Sequence, residues 1–165
     1  MQLRMKKIIL KRWRSEMIFL TIAACWIGLD QLTKQVIREV LDRGDFAIVT
    51  SFFQISHIHN DGAAFGLFSG ANVTLTFLAI VAVIIIVCLY YLFPPVNHWA
   101  IRLGLVLVFS GAMGNLLDRV FWGHVTDFID FLHFPAFNVA DAGINIGIAI
   151  IVIHLVLFRK KIPSE

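Results

Sequence analysis

Charge is what this chain has least of. Only 15% of its 165 residues are Asp, Glu, Lys or Arg, 59% are hydrophobic, and the mean hydropathy is +0.82. Such values exclude an ordinary soluble domain, and the length leaves room for a single domain, residues 1–165. Cysteine is almost absent too. Cys25 and Cys88 fall in separate apolar runs, so they are expected as buried packing residues, offering neither a disulfide framework nor an exposed thiolate. There is no HExxH helix, no nucleic-acid-binding motif and no visible internal repeat.

What remains is a set of membrane-length apolar runs. Residues 71–93 and 141–158 are nearly free of charge, and 99–117 is interrupted only by Arg102, which can snorkel. The first span, about 16–36, has an apolar stretch of only thirteen residues, Met17 to Leu29. To cross a bilayer it must continue helically through Asp30, Thr33 and Lys34, so its far end carries ionisable groups that need partners. Four spans place both termini on one side. That side collects Arg4, Lys6, Lys7, Lys11, Arg12, Arg14, Arg102, Arg159, Lys160 and Lys161, ten of the fourteen basic residues, so both termini are expected in the cytoplasm. The net charge of +3 is then an orientation signal. Ile22-Ala23-Ala24-Cys25 has the look of a processing box, but it follows Glu16 too closely, and cleavage there would remove most of the first span.

Two segments are left on the outer side, roughly 35–70 and 118–140. FAIVTSFFQISHI is β-branched and aromatic, bounded by Gly44 and Asn60-Asp61-Gly62, and reads as strands at the membrane surface. The second segment, crowded with Phe around Trp122, reads as interfacial. The fold class is therefore membrane all-α with a small β element: four transmembrane helices, an extracytoplasmic strand platform and an interfacial segment.

The acids cluster on that outer side. Asp118, Asp127, Asp130 and Asp141 lie within twenty-four residues, at the outer ends of the third and fourth spans. Two carboxylates sharing a partly dry site cannot both ionise easily, so one acts as acid and the other as base, activating water for attack on an amide without a covalent intermediate. Each acid also has a plainer reading: Asp118 as an ion pair with Arg119, Asp130 as a solvated loop residue, Asp141 as a helix N-cap. Spacing alone does not choose the partner of Asp141. Asn60, Asn115 and Asn138 are neutral amides suited either to orienting a carboxylate or a peptide backbone, or to capping and interhelical bonding. Arg119 can hold carboxylates or a loop through its fork of donors. Asp30 and Lys34, four residues apart, neutralise each other on one helix face. The small residues Gly62 to Gly66 allow close approach of a substrate or a tight turn. The phenylalanines at 128, 131, 134 and 137 suit interfacial anchoring or acyl chains.

Two other classes of function fit parts of the pattern. His57 and His59 alternate on an expected strand near Asp61 and could form a metal site; the clustered acids could be a transporter's proton relay. An isolated His-x-His is more often surface than ligand, and transport sites sit at the midplane between repeats.

Five blocks, DQLTK at 30–34, NDGAAFG at 60–66, GNLLDR at 114–119, VTDFID at 125–130 and FNVAD at 137–141, resemble in order and spacing the bacterial lipoprotein signal peptidases, or type II signal peptidases. The resemblance runs from the first span to the last. It implies a metal-free, cofactor-free intramembrane aspartic peptidase of the bacterial inner membrane. Such an enzyme cuts lipid-modified prolipoproteins on the amino side of a diacylglyceryl-cysteine, among membrane lipids and as a monomer. It also implies that Asp127 and Asp141 are the catalytic pair, with Asp30, Lys34, Asn60, Gly62, Asn115, Arg119 and Asn138 binding substrate or supporting the site.

Overall fold

The computed structural model describes residues 2–62, 72–92, 99–131 and 134–157, with side chains in the first helix described at Leu10 and from Trp13 onward. Helix α1 runs Gln2–Val40, followed by strands β1 (Phe46–Ile48) and β2 (Phe53–Asn60), then α2 (Asn72–Leu92), α3 (Trp99–Trp122), β3 (Val125–Phe131), β4 (Phe134–Phe137) and α4 (Val139–Leu157). All four helices contain stretches long and apolar enough to cross a membrane: Trp13–Val40, Asn72–Leu92, Trp99–Trp122 and Val139–Leu157. As its short apolar stretch requires, α1 continues through Asp30 and Lys34. The basic residues Arg159, Lys160 and Lys161, and Ala63 to Gly66 of the small-residue loop, lie outside the described residues.

Helix α3 is the centre of the bundle, packed against each of the other three. It meets α4 through glycines. A Cβ on Gly104 would lie 2.7 Å from the carbonyl oxygen of Gly147, one on Gly147 would lie 2.5 Å from that of Gly104, and one on Gly111 would collide with that of Ala140. Small residues thus let two backbones approach, the usual route to tight packing where lipid removes the hydrophobic drive between helices. Helix α2 is the opposite case: it packs on α3 yet buries none of its residues. Its Phe77, Leu78, Ile84 and Ile85 are exposed to what would be lipid. The same holds for Cys25 and Cys88, expected as buried packing residues: both lie on the outward faces of their helices.

The four strands form one antiparallel sheet in the order β1-β2-β3-β4. The second outer segment therefore does more than line an interface, since it supplies half of this sheet. Gly123, at φ +77°, ends α3 in the left-handed region that glycine tolerates and donates its N–H to the Arg119 carbonyl at 3.2 Å, turning the chain into β3. Between β2 and β3 the register shifts: Ile55 pairs with Ile129 but Ile58 pairs with Asp127. Two residues of β2 thus oppose one of β3, a bulge that exchanges the faces of β2 beyond it. Because of it Asn60, rather than His59, shares the face of Asp127.

Candidate active site

Three wholly buried charges meet where α1 and α3 reach the sheet. Lys34 Nζ lies 2.9 Å from Asp30 Oδ2 and 3.3 Å from Asp118 Oδ2, and all three side chains are 0% exposed. Arg38 approaches Asp118 from the rim at 3.6 Å. The i, i+4 pairing of Asp30 with Lys34 is as the sequence suggests. The pairing of Asp118 with Arg119 is not: adjacent helical residues point about 100° apart, so Asp118 faces α1 while Arg119 faces a cavity on the other side. There Arg119 donates to the carbonyls of Gly62 at 3.3 Å and Asn115 at 3.5 Å, holding the loop instead of a carboxylate.

Each buried acid holds a backbone N–H beside one of the two acids of the cavity. Asp30 Oδ1 accepts from Ala140 N at 2.8 Å, next to Asp141. Asp118 Oδ2 accepts from Thr126 N at 2.9 Å, next to Asp127. Lys34 balances both. Gln31 bridges the same two carboxylates at 3.1 and 3.2 Å.

The N-cap of α4 is Asn138, and Asp141 stands three residues further in. Asp141 N donates to Asn138 Oδ1 at 3.0 Å while Asn138 N donates to Asp141 Oδ2 at 3.3 Å, a reciprocal capping box. Asp141 is thus not the cap the sequence allowed. Its carboxylate sits at the positive end of the α4 dipole, where negative charge is favoured.

Three asparagine amides complete the arrangement. Asn115 Nδ2 donates to Asp141 Oδ1 at 2.7 Å, Asn138 Nδ2 to Asp127 Oδ1 at 2.6 Å, and Asn60 Nδ2 to Asp127 Oδ2 at 2.8 Å. Their orientation is fixed from behind. Lys34 Nζ donates to Asn115 Oδ1 at 2.9 Å, and Gly62 N to Asn60 Oδ1 at 3.0 Å, so both amides must turn their NH2 groups to the acids. Three of the four oxygens of Asp127 and Asp141 accept from these amides, and the fourth, Asp141 Oδ2, accepts from the Asn138 backbone N–H. Burial, and then the charge of Asp141, push the Asp127 carboxyl up to about 7, against the donors Asn60 and Asn138, which favour its ionised form.

Asp127 and Asp141 line a cavity of about 650 Å³ together with Asn60, Gly62, Asn115, Arg119, Phe134, Phe137 and Asn145. Of the residues singled out in the sequence, Asp30 and Lys34 stand behind this cavity. Asp130 is outside it, on β3 and bonded by Gln54 Nε2 at 2.5 Å, a strand position and not a solvated loop. Gln31 and Asn145 were not expected. A polar residue four positions beyond Asp141 in an otherwise apolar run was the available signal for Asn145.

His57 donates through Nδ1 to the Leu41 carbonyl, 2.8 Å away, and its Nε2 lies 3.2 Å from His59 Nε2. His59 stacks on His124 at 3.6 Å, and burial, followed by the neighbouring His124, Arg43 and His57, pulls its imidazole down to about 4. Among the described residues no three His, Cys, Asp or Glu side chains form a group that could hold a metal ion.

Fold and site together define a polytopic membrane protein carrying paired acids where a helix bundle meets a small sheet. The family model for signal peptidase (SPase) II matches residues 22–157. The lipoprotein signal peptidase of Moorella thermoacetica is 40% identical over 142 residues, covering 86% of this chain and 94% of its own. That of Symbiobacterium thermophilum is 36% identical over 151 residues, covering 88% and 98%. A bacterial membrane enzyme solved by the in meso method at 2.3 Å superposes with a TM-score of 0.80 at 32% identity, over 90% of this chain and 93% of that one. The chain belongs to the signal peptidase II family.

Proposed function

We propose that Asp127 and Asp141 hydrolyse the signal-peptide bond of lipid-modified prolipoproteins, on the amino side of the lipidated cysteine, through a water activated without a metal. The observation that carries this reading is the pair itself: two carboxylates on one cavity wall, one pushed up to about 7 and the other at a helix N-terminus. Asp141, ionised, takes a proton from the attacking water. Asp127, protonated, donates to the carbonyl oxygen as the water oxygen bonds to the carbonyl carbon. As the tetrahedral species collapses the C–N bond breaks, the proton taken by Asp141 passes to the departing amine of the cysteine, and one hydroxyl returns its proton to Asp127 as the carboxylic acid forms. Asn60, Asn115 and Asn138 keep both acids in place without adding charge, while Arg119 and Gly62 line the same cavity. Both termini lie in the cytoplasm and the cavity opens at the outer face. The lipid anchor and signal helix therefore deliver the bond along the bilayer, leaving the site only to align it. The working unit in this reading is one chain, a single domain over residues 1–165.

Purified protein acting on a lipidated prolipoprotein in detergent, followed as a gel shift, tests this. Asp127→Asn and Asp141→Asn each abolish the shift while folded, Asp130→Asn retains it, and EDTA has no effect. Loss on EDTA treatment, or activity in Asp127→Asn, would overturn the metal-free pair.

A further inference from the structure

Among the described residues, Asn145 is the one amide on the cavity wall that has nothing to hold. It lies four residues beyond Asp141, on the same face of α4, within the membrane-spanning segment Val139–Leu157. Ile144, Ile146 and Ile148 surround it in sequence. It is exposed to the cavity that Asp127 and Asp141 line, and it makes no hydrogen bond with any described residue. Asn60, Asn115 and Asn138, by contrast, are all bonded. An amide turned to a hydrocarbon depth without a partner is costly, so its place is explained by something that enters the cavity.

Four helical residues rise about 6 Å, so Asn145 sits about that much deeper than Asp141. What lies deeper than the scissile bond, on the proposed function, is the end of the signal helix. A peptide bond in a helix is shielded, so the substrate must unwind to reach the acids. Unwinding frees N–H and C=O groups that have no water to meet at that depth. An asparagine side chain offers one acceptor and two donors in a plane, which matches the C=O and N–H of one extended residue. At about 3.3 Å per extended residue, 6 Å corresponds to the second residue before the cut.

We infer that Asn145 is a substrate-binding residue, pairing with the main chain about two residues on the amino side of the scissile bond and stabilising the unwound end of the signal helix. The inference rests on the proposed function. It is tested with the full chain in detergent and a lipidated prolipoprotein peptide, unmodified or N-methylated at the second or the third residue before the cut. Asn145→Leu lowers kcat/KM on the unmodified peptide about tenfold, as loss of one or two hydrogen bonds does, with thermal stability unchanged or raised. N-methylation at one of the two positions costs the wild type a similar factor and costs the variant nothing more. Asn145→Ala takes its place if the leucine variant does not fold. Variant activity within twofold of wild type overturns the inference, and so does an N-methylation loss equal in both proteins. No cleavage of the unmodified peptide by wild type is a different result, which overturns the proposed function itself.

Discussion

The two ends of the bundle solve the same problem, holding α1 to α3 across an apolar medium, in opposite ways. At the sheet end Asp30, Lys34 and Asp118 are fully buried and bonded to backbone and amides on four elements. At the other end Arg102 reaches Glu16 at 2.5 Å, the Tyr90 hydroxyl, and Ser15 Oγ at 3.1 Å, lies over the rings of Phe19 and Tyr90, and remains 21% exposed. Both are clusters of charge. Only the first is sealed, and only the first touches residues adjacent to the paired acids. A cluster that merely joins helices tolerates solvent, whereas one that sets the position of carboxylates has every polar atom committed.

Removing the central charge at each end gives the largest contrast. Lys34→Met strands two buried carboxylates, and breaking a buried pair costs about 3–5 kcal/mol; thermal unfolding in detergent reads the loss, and cleavage falls with it because Asn115 is no longer held. A variant as stable as wild type breaks the comparison. The glycine contacts sharpen it. Gly111→Ala puts a methyl against the Ala140 carbonyl, at the turn that carries Asp141, so kcat drops at least tenfold even where the protein stays folded. Gly104→Ala meets the Gly147 carbonyl and the flexible Ile151 far from the acids, so it lowers thermal stability but leaves kcat within about twofold of wild type. Equal effects on kcat would show that the α3–α4 contact is not what locates Asp141.

The pH response separates the ends in another way. The Asp127 carboxyl is raised from 3.8 to about 7 on folding, so the folded state holds its proton more tightly than the unfolded one. Stability contributed by that proton is complete below 3.8 and declines as pH rises to about 7. Asp127→Asn flattens this slope of melting temperature against pH, and in wild type kcat falls as pH passes about 7 and Asp127 loses its proton. A wild-type profile flat across neutrality argues against Asp127 as the acid. The smallest change is expected for Arg102→Gln. A partly exposed pair is worth about 1 kcal/mol or less, and with the acids untouched the cleavage rate is that of wild type once folding is matched.

The same contrast governs what was legible in the sequence. Charge-free length is a local property, so four spans could be read from residues 71–93, 99–117 and 141–158 and from the need of the first run to continue through Lys34. The gathering of acids at one side was visible for the same reason. The partners were not. Asp118 lies beside Arg119 in sequence but pairs with Lys34, more than eighty residues away, because helical rotation turns neighbours apart. The bulge that presents Asn60 to Asp127 depends on pairing between β2 and β3, and no feature within 53–60 announces it. Asn138 and Asp141 carry the spacing of three that a capping box requires, but an aspartate at the start of an apolar run is by itself equally compatible with being the cap. Which acid completes the pair came from likeness to a family, since Asp118, Asp127 and Asp130 are equivalent by spacing.

The glycine contact between α3 and α4 carries a consequence for where a substrate is cut. With Gly104 and Gly147 set against each other's carbonyls and Gly111 against that of Ala140, neither helix can slide past the other by even one residue without driving a side chain into backbone. On the proposed function, the frame works as a depth gauge, fixing the plane at which water attacks relative to the bilayer. A longer or shorter signal helix would have to tilt or bend to present its bond, and the point of cleavage would stay where the protein put it.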